Sequence, residues 1–365
     1  MIIIVIGSLI ILYVVELIIF RIGLAKTDRV PFVENYQPMV SVIVAARNEE
    51  DFIGECISSL LQIDYPKNKL EIIIVNDGST DRTAEIIESF RTTHPEVTLL
   101  TASFGSGNLR GKANALSQGI EQSTGTILMF TDADCQVQPA WVKETVKYFT
   151  PNVGIVGGFT ILDAHRSFEG MQMLDWIFLF GLASATAGWK KPLTIIGNNL
   201  SMTREAYDAT GGYTMIAFSV TEDCAIVQAI LTRTKYSVRF PVNSQTVVTS
   251  RACQSLSHLY RQKQRWGVGG LDMPLFGFMI MAIGWVAKSA LILGILFYGV
   301  TKLILLAAIM ALAEIMFLWM LLRSFHAIKY LKYFPVFFFY LFVYVILLPF
   351  VAITSKRILW KERKL

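Results

Sequence analysis

Charge is scarce in this chain. Asp, Glu, Lys and Arg make up 17% of its 365 residues, while 53% are hydrophobic. With a mean hydropathy of +0.50, an ordinary soluble protein is excluded and membrane segments are expected. Cysteine is scarce too. Cys56, Cys135, Cys224 and Cys253 lie far apart and form no CxxC, which argues for a reduced, cytosolic setting over a disulfide framework. His94, His165, His258 and His326 show no metal-ligand spacing, so zinc is not expected. No GxGxxG follows the first strand-like run, which removes the dinucleotide-binding fingerprint. Residues 105–112 fail as a phosphate loop, which would need Gly at Ser106 and Ser or Thr at Ala113. The net charge of +5 is modest and sits largely beside apolar stretches. It reads as membrane topology, and no nucleic-acid polymer is expected as a partner.

Long apolar runs occupy both ends. Residues 1–20 are apolar except Ser8 and Glu16, and Arg21, Lys26 and Arg29 follow. No basic residue precedes the run and no small-residue cleavage site is evident, so a signal anchor is expected. Positive charge after it places the next domain in the cytoplasm. Residues 276–298 and 303–322 read as a hairpin of two spans turning at 299–302, with Arg323, Lys329 and Lys332 marking a cytoplasmic loop. Residues 335–354 form a further apolar segment. If it spans, the basic tail (Lys356, Arg357, Lys361, Arg363, Lys364) ends up outside, against the positive-inside tendency. Either this segment is re-entrant or interfacial, or the first part of the hairpin is. Lys288 and Glu314 are costly in lipid and are expected to face protein, water or each other. The expected organisation is an anchor at 1–21, a catalytic domain at 38–270, a membrane region of two to three spans at 274–355, and a basic tail at 356–365. Such a chain is a multi-pass protein of the cell (inner) membrane with a cytoplasmic catalytic domain.

The middle of the chain alternates strand and helix signals. Residues 40–45, 70–75, 97–101 and 126–130 are apolar runs of strand length. Residues 49–61, 80–90 and 112–122 carry helical spacing. The pattern predicts an α/β fold with a mostly parallel sheet covered on both faces. In such sheets ligands bind beyond the C-terminal strand ends, where both Asp77 and Asp132 fall.

Acidic residues cluster at these ends: Asp77 in VNDGSTD, Asp132 and Asp134 in TDADC, Glu222 and Asp223 in TEDC. Alternation in an extended chain puts Asp132 and Asp134 on one side, where they can hold a divalent ion and leave room for phosphate oxygens. The plainer alternative is a surface turn. Asp77 is placed to accept from a base or ribose, and Asp81 or Thr80 to cap the next helix. Glu49 is a second nucleotide contact or a first-turn acid. Glu222 and Asp223 are helix N-terminal acids or, more sharply, a general base, with Glu222 raising the pKa of Asp223. Further on, Gln262 and Trp266 share a helix face with Arg265 beside them. Arg265 suits a phosphate leaving group and Trp266 a sugar or acceptor. A membrane-surface helix carrying Arg261, Lys263, Arg265 and an interfacial Trp would explain the charges but not Gln262.

In order and spacing this set resembles family 2 glycosyltransferases, inverting enzymes that use nucleotide sugars. The resemblance covers about residues 38–268 and implies a GT-A fold, Rossmann-like, flanked by transmembrane helices. It assigns the strand-end loop ARNEE, with Arg47 and Glu49, the preceding Ala45, and then Asp77 and Lys112 of GKANAL, to the donor nucleotide. It makes Asp132-Ala-Asp134 the DxD motif for Mg²⁺ or Mn²⁺, with Asp132 also at the substrate. It makes Thr221-Glu222-Asp223 the TED base motif, and Gln262 to Trp266 the (Q/R)xxRW motif. The implied activity is a hexosyl transfer from a nucleotide sugar, UDP-linked in the first instance, to a hydroxyl of a lipid or membrane-embedded acceptor. A small processive polysaccharide synthase of the same fold is the alternative, though the chain is short and has few spans. A third reading, a nucleotide-binding membrane protein without catalysis, is opposed by the intact Asp223 and Gln262-x-x-Arg265-Trp266.

Overall fold

The structure, a computed structural model, describes residues 1–27, 31–105, 107, 109–354, 359–360 and 363–364. Arg29, Ser106, Lys356, Arg357 and Lys361 lie outside them. In chain order the strands are β1 (Val40–Ala46), β2 (Leu70–Asn76), β3 (Val97–Thr101), β4 (Ile127–Phe130), β5 (Gln136–Val137), β6 (Val153–Gly157), β7 (Thr160–Asp163), β8 (Leu200–Thr203), β9 (Ser237–Arg239) and β10 (Val248–Arg251). The helices are α1 (Ile2–Thr27), α2 (Ile53–Leu61), α3 (Thr83–Thr93), α4 (Gly111–Gln122), α5 (Trp141–Val146), α6 (Ser167–Gly188), α7 (Arg204–Asp208), α8 (Glu222–Arg233), α9 (Leu256–Gly269), α10 (Leu275–Tyr298), α11 (Val300–Ser324) and α12 (Phe334–Thr354). The chain forms two compact units.

One unit comprises residues 27–161, 194–251 and 357–365. Its seven-stranded sheet has the order β3-β2-β1-β4-β8-β6-β9. β3, β2, β1 and β4 run parallel, and so do β6 and β9. β8 alone is reversed between β4 and β6. The sheet is thus mostly parallel, as the unbroken apolar runs require of strands covered on both faces. Val40, Val42, Ile43 and Val44 are fully buried, as are Ile74, Leu128 and Met129. One layer of cover comes from α2, whose Ile53, Cys56, Ile57 and Leu60 fall on one buried stripe. α4 covers β1 and β2, where a Cβ on Gly119 would meet Ile43 Cγ2 at 2.7 Å. The close approach that only glycine permits seats α4 on the sheet and fixes where its first turn, with Lys112, emerges.

Two helices start later than their periodicity predicts. α2 begins at Ile53 and not Glu49, because Asn48 takes a positive φ of 50°. The amides of Glu49 and Glu50 donate to Thr83 Oγ1 (2.8 Å) and Asp81 Oδ2 (3.1 Å). α3 begins at Thr83, whose amide donates to Asp81 Oδ1 at 3.0 Å. The N-cap position is Arg82, so Asp81 lies one residue before it; its carboxylate accepts the first helical amide and also ties the loop after β2 to the loop after β1.

The other unit comprises residues 1–26, 162–193 and 252–356. It takes in α6 and α9, both inside the stretch 38–270, together with the apolar ends. Among the described residues, four helices are long and apolar enough to cross a membrane: Ile2–Thr27, Leu275–Tyr298, Val300–Ser324 and Ile328–Thr354. The hairpin of α10 and α11 turns at Gly299, whose φ is 81°. Lys288 and Glu314 do face each other, with Nζ 2.5 Å from Oε1, and both side chains are buried. Tyr13 of α1 donates to the same Oε1 at 2.8 Å, so one carboxylate oxygen joins three helices. Removing one partner of a buried pair leaves the other charge uncompensated, at a cost of about 3–5 kcal/mol. Glu314→Leu is therefore expected to lower the unfolding temperature in detergent sharply, and Lys288→Met/Glu314→Leu to regain most of it. Thermal unfolding of the purified variants checks this.

Candidate active site

The parallel strands end together. Ala46 of β1 pairs in register with Asn76 of β2, and Phe130 of β4 with Ile43 of β1. Ala45, Arg47, Glu49, Asp77 and Asp132 therefore gather along the C-terminal edge. Ala45 lies within β1 opposite Val75 and offers only backbone and a methyl group. Arg47 donates from Nη1 to the carbonyls of Asp77 (2.5 Å) and Gly78 (2.8 Å), so it braces the β2 loop. Asp77 is buried, and its amide donates to Ala46 O at 2.8 Å. The loops after β1 and β2 are one laced structure.

The DAD segment differs from the expected extended chain. β4 stops at Phe130, and Asp132 to Cys135 form a turn closed by the Cys135 amide on Asp132 O at 3.0 Å. Alternation ends with the strand, so it does not describe these side chains. The Lys112 ammonium sits 2.5 Å from Asp132 Oδ1 and 3.2 Å from Glu222 Oε1. Burial works to lower the Lys112 ammonium, but Asp132 and then Glu222 outweigh it and hold it well above its usual range. One fixed positive charge thus joins the DAD turn to the TED helix.

β8 explains how Asp223 comes to this edge. Because β8 is antiparallel to β4, its first residue, Leu200, pairs with Phe130. The turn before it, Gly197–Asn199, then lies at the same edge. Asn199 fixes that turn by accepting from Trp141 Nε1 (3.0 Å) and donating to the carbonyls of Phe159 (2.8 Å) and Thr246 (2.9 Å). Asn198 Oδ1 accepts from Thr160 Oγ1 at 3.0 Å. Gly197 N–H in turn donates to Asp223 Oδ2 at 2.6 Å, while Asp223 Oδ1 accepts from the Cys224 amide at 2.8 Å. Asp223 is crowded away from solvent, and this, then Glu222, pushes its carboxyl up to about 6 despite Lys112 and the two amides. A carboxylate so tuned suits proton abstraction near neutral pH. Tyr213 is buried nearby; burial, then Glu222, raise its phenol well above the usual range, so it remains protonated.

Sequence reasoning missed Gly197, Asn198, Asn199 and Tyr213. The available signal was the polar GNN between the apolar runs of TII and LSM. Buried Asn side chains at a strand start imply satisfied backbone partners.

Asp132 and Asp134 offer hard carboxylate oxygens at a strand end, and the ammonium on Asp132 shows that oxygen holding a cation. Among the described residues no group of three or more His, Cys, Asp or Glu could hold a metal. A magnesium-like ion commonly uses one or two carboxylates and completes its shell with phosphate and water. The two residues fit that pattern.

Gln262, Arg265 and Trp266 are on α9, in the unit that carries the apolar helices. Trp266 packs against Trp176, ring centroids 5.4 Å apart, and the Lys263 ammonium lies 4.2 Å from its centroid. Gln262 Oε1 is buried and has no hydrogen-bond partner among the described residues.

The profile of the family described as Glycosyl transferase family 2 matches residues 41–224. A beta-monoglucosyldiacylglycerol synthase from Synechocystis sp. is 29% identical over 65% of this chain and 49% of its own length. A poly-beta-1,6-N-acetyl-D-glucosamine synthase from Staphylococcus epidermidis is 28% identical over 66% of this chain and 56% of its own. The chain thus spans about half the length of the curated relatives it matches. Among solved structures, a mannosyltransferase from Pyrobaculum calidifontis, in complex with GDP-Man and Mn²⁺, aligns at a TM-score of 0.62 and 21% identity. That alignment covers 96% of this chain and 99% of the other, and it shows a shared fold, GT-A. With the family profile running from the second residue of β1 into the first turn of α8, this chain belongs to glycosyl transferase family 2.

Proposed function

We propose that this protein is an inverting hexosyltransferase that moves a sugar from a nucleotide diphosphate sugar to a hydroxyl of a membrane-embedded lipid. The observation that carries the reading is the Lys112 bridge. It holds the donor-side Asp132 and the base-side Glu222 on one ammonium, with Asp223 next in the chain. The synthase from Synechocystis sp., named for a glucosyl diacylglycerol, supports a lipid acceptor. The staphylococcal synthase supports a second reading, a short polymerase, in which the acceptor is a growing glycan.

In this mechanism Asp223 takes the proton from the acceptor hydroxyl as its oxygen attacks the anomeric carbon. The bond to the diphosphate breaks on the opposite face, which inverts the centre. Asp77, Arg47 and Glu49 belong to the loops that receive the nucleotide. Lys112 offers a positive charge to the phosphates once Asp132 is otherwise engaged. Asp132 and Asp134 would hold Mg²⁺ or Mn²⁺, which supplies charge neutralisation to the diphosphate. Arg265 offers a planar fork to the departing diphosphate, a geometry that Lys lacks. Gln262 and Trp266 contribute to the acceptor side.

Purified protein given radiolabelled UDP-glucose, UDP-N-acetylglucosamine and GDP-mannose with total membrane lipid tests the reaction class. One labelled lipid product is expected, lost in EDTA and restored by Mg²⁺ or Mn²⁺. A ladder of products would favour the polymerase, and transfer undiminished in EDTA would remove the metal. For the base, Asp223→Asn is expected to cut turnover by about 10²-fold or more with UDP binding little changed. The sign of the pH effect follows from a base that must be deprotonated. Activity should climb about tenfold per pH unit below about 6 and level off above it. Since Lys112 works to lower that carboxyl, Lys112→Met should move the ascending limb to higher pH.

The proposed topology puts residues 22–270 in the cytoplasm of a cell-membrane protein, on the strength of Arg21 and Lys26 after the first apolar run. Phe104 is fully exposed. In intact cells, Phe104→Cys should resist a membrane-impermeant thiol reagent and react only after lysis. Labelling before lysis would reverse the orientation.

A further inference from the structure

Within the unit that carries the apolar helices, α9 holds a buried charge that the family motif leaves as a free position. Lys263 lies one residue after Gln262, two before Arg265 and three before Trp266. It is 6% exposed, and its ammonium is hydrogen-bonded to Asp175 Oδ2 of α6, which is 1% exposed. The same ammonium lies 4.2 Å from the ring centroid of Trp266 and 4.8 Å from that of Tyr344 on α12. Tyr340 of α12 donates to Asp175 Oδ2 at 3.4 Å. Trp176, next to Asp175, packs on Trp266. One cation and one carboxylate therefore fix α9 against two other helices.

A buried ion pair is a poor source of stability. Apolar replacements of equal volume are often as stable, and the well-attested use of such a pair is to fix a register. α9 has a particular need of that. Its buried positions are only Leu259, Lys263 and Gly269, and Leu256 and Tyr260 are exposed, so apolar contacts alone specify its rotation weakly. A rotation of one residue, about 100°, would carry Arg265 away from its present direction and leave Lys263 without a counter-charge. The arrangement of the aromatic rings adds a second constraint, because an ammonium prefers the face of an indole.

We propose that Asp175 and Lys263 are positioning residues that set the rotation of α9 and so fix the direction of Gln262 and Arg265. This rests on the glycosyl-transfer reading for its effect on turnover, but not for its effect on the direction of residue 265.

The test uses the full-length protein in detergent micelles. Lys263→Met, Asp175→Asn and the double variant are compared in turnover, with whichever labelled donor and lipid fraction give product in the panel above. A second readout is independent of activity: the alkylation rate of Arg265→Cys by maleimide in each background. The four native cysteines are buried, so they give a low background. Each single variant is expected to lower kcat about tenfold with donor KM within about twofold, and to change the alkylation rate at least about threefold. The double variant, which leaves no unpaired charge, should return both readouts most of the way. Single variants that merely unfold at lower temperature, with wild-type kcat and alkylation rate below that temperature, would overturn the proposal. So would a double variant as impaired as the two singles combined. Arg265→Lys separates the two readings: unchanged kcat there removes the role of Arg265 in transfer, while the alkylation arm still decides the positioning.

Discussion

The ammonium of Lys112 is the constraint on which the site depends. Asp132, Glu222 and Asp223 bring three carboxylates to one sheet edge, and like charges so placed repel unless something compensates them. Lys112 lies within 3.2 Å of two of them and pulls against the rise in the Asp223 carboxyl. Its own place is set from below. Gly119 lets α4 settle onto Ile43 and Val75, and the first turn of the helix then presents Lys112 at the strand ends. Packing at one end of a helix thus determines electrostatics at the other.

The same logic recurs in the apolar unit with a different outcome. Lys288 and Glu314 meet among helices long enough to span a membrane, and Tyr13 completes the contact. Lys263 and Asp175 meet where aromatic rings from α9 and α12 enclose the cation. In both places a charge that is expensive to bury is held by a specific partner on another helix. Such pairs discriminate between alternative packings of helices whose apolar faces would slide over one another, a task that non-directional hydrophobic contact performs poorly.

The half of the sheet formed by β1 to β4 was readable from sequence because it is written in apolar runs of strand length, as in residues 40–45 and 70–75, whereas β8, β6 and β9 were not read. Asp77 and Asp132 were readable because each follows such a run, whereas Glu222 and Asp223 follow an irregular segment and open α8. Periodicity failed where the backbone leaves regular structure. It describes side-chain direction inside β4 but not in the turn from Asp132 to Cys135. It failed again for Gly197, whose contribution is a backbone N–H and so has no side-chain signature. Lys263 looked like one cation of a surface helix because its partner is 88 residues away in sequence. Chain-local patterns carry no information about that distance.

β8 runs against its neighbours, and this changes which loops are free to vary. In a wholly parallel sheet every ligand-facing loop follows a strand. Here the segment preceding a strand, 194–199, also reaches the ligand edge, and it carries the amide that orients Asp223. Its length is therefore tied on one side to strand register and on the other to the Asp223 carboxylate. The connection after Thr203 opens at the opposite edge of the sheet, beside Gly125 and Thr126. Evolutionary insertions should thus accumulate in loops free of both ties, and the short GNN turn should keep its length even among relatives that glycosylate different molecules.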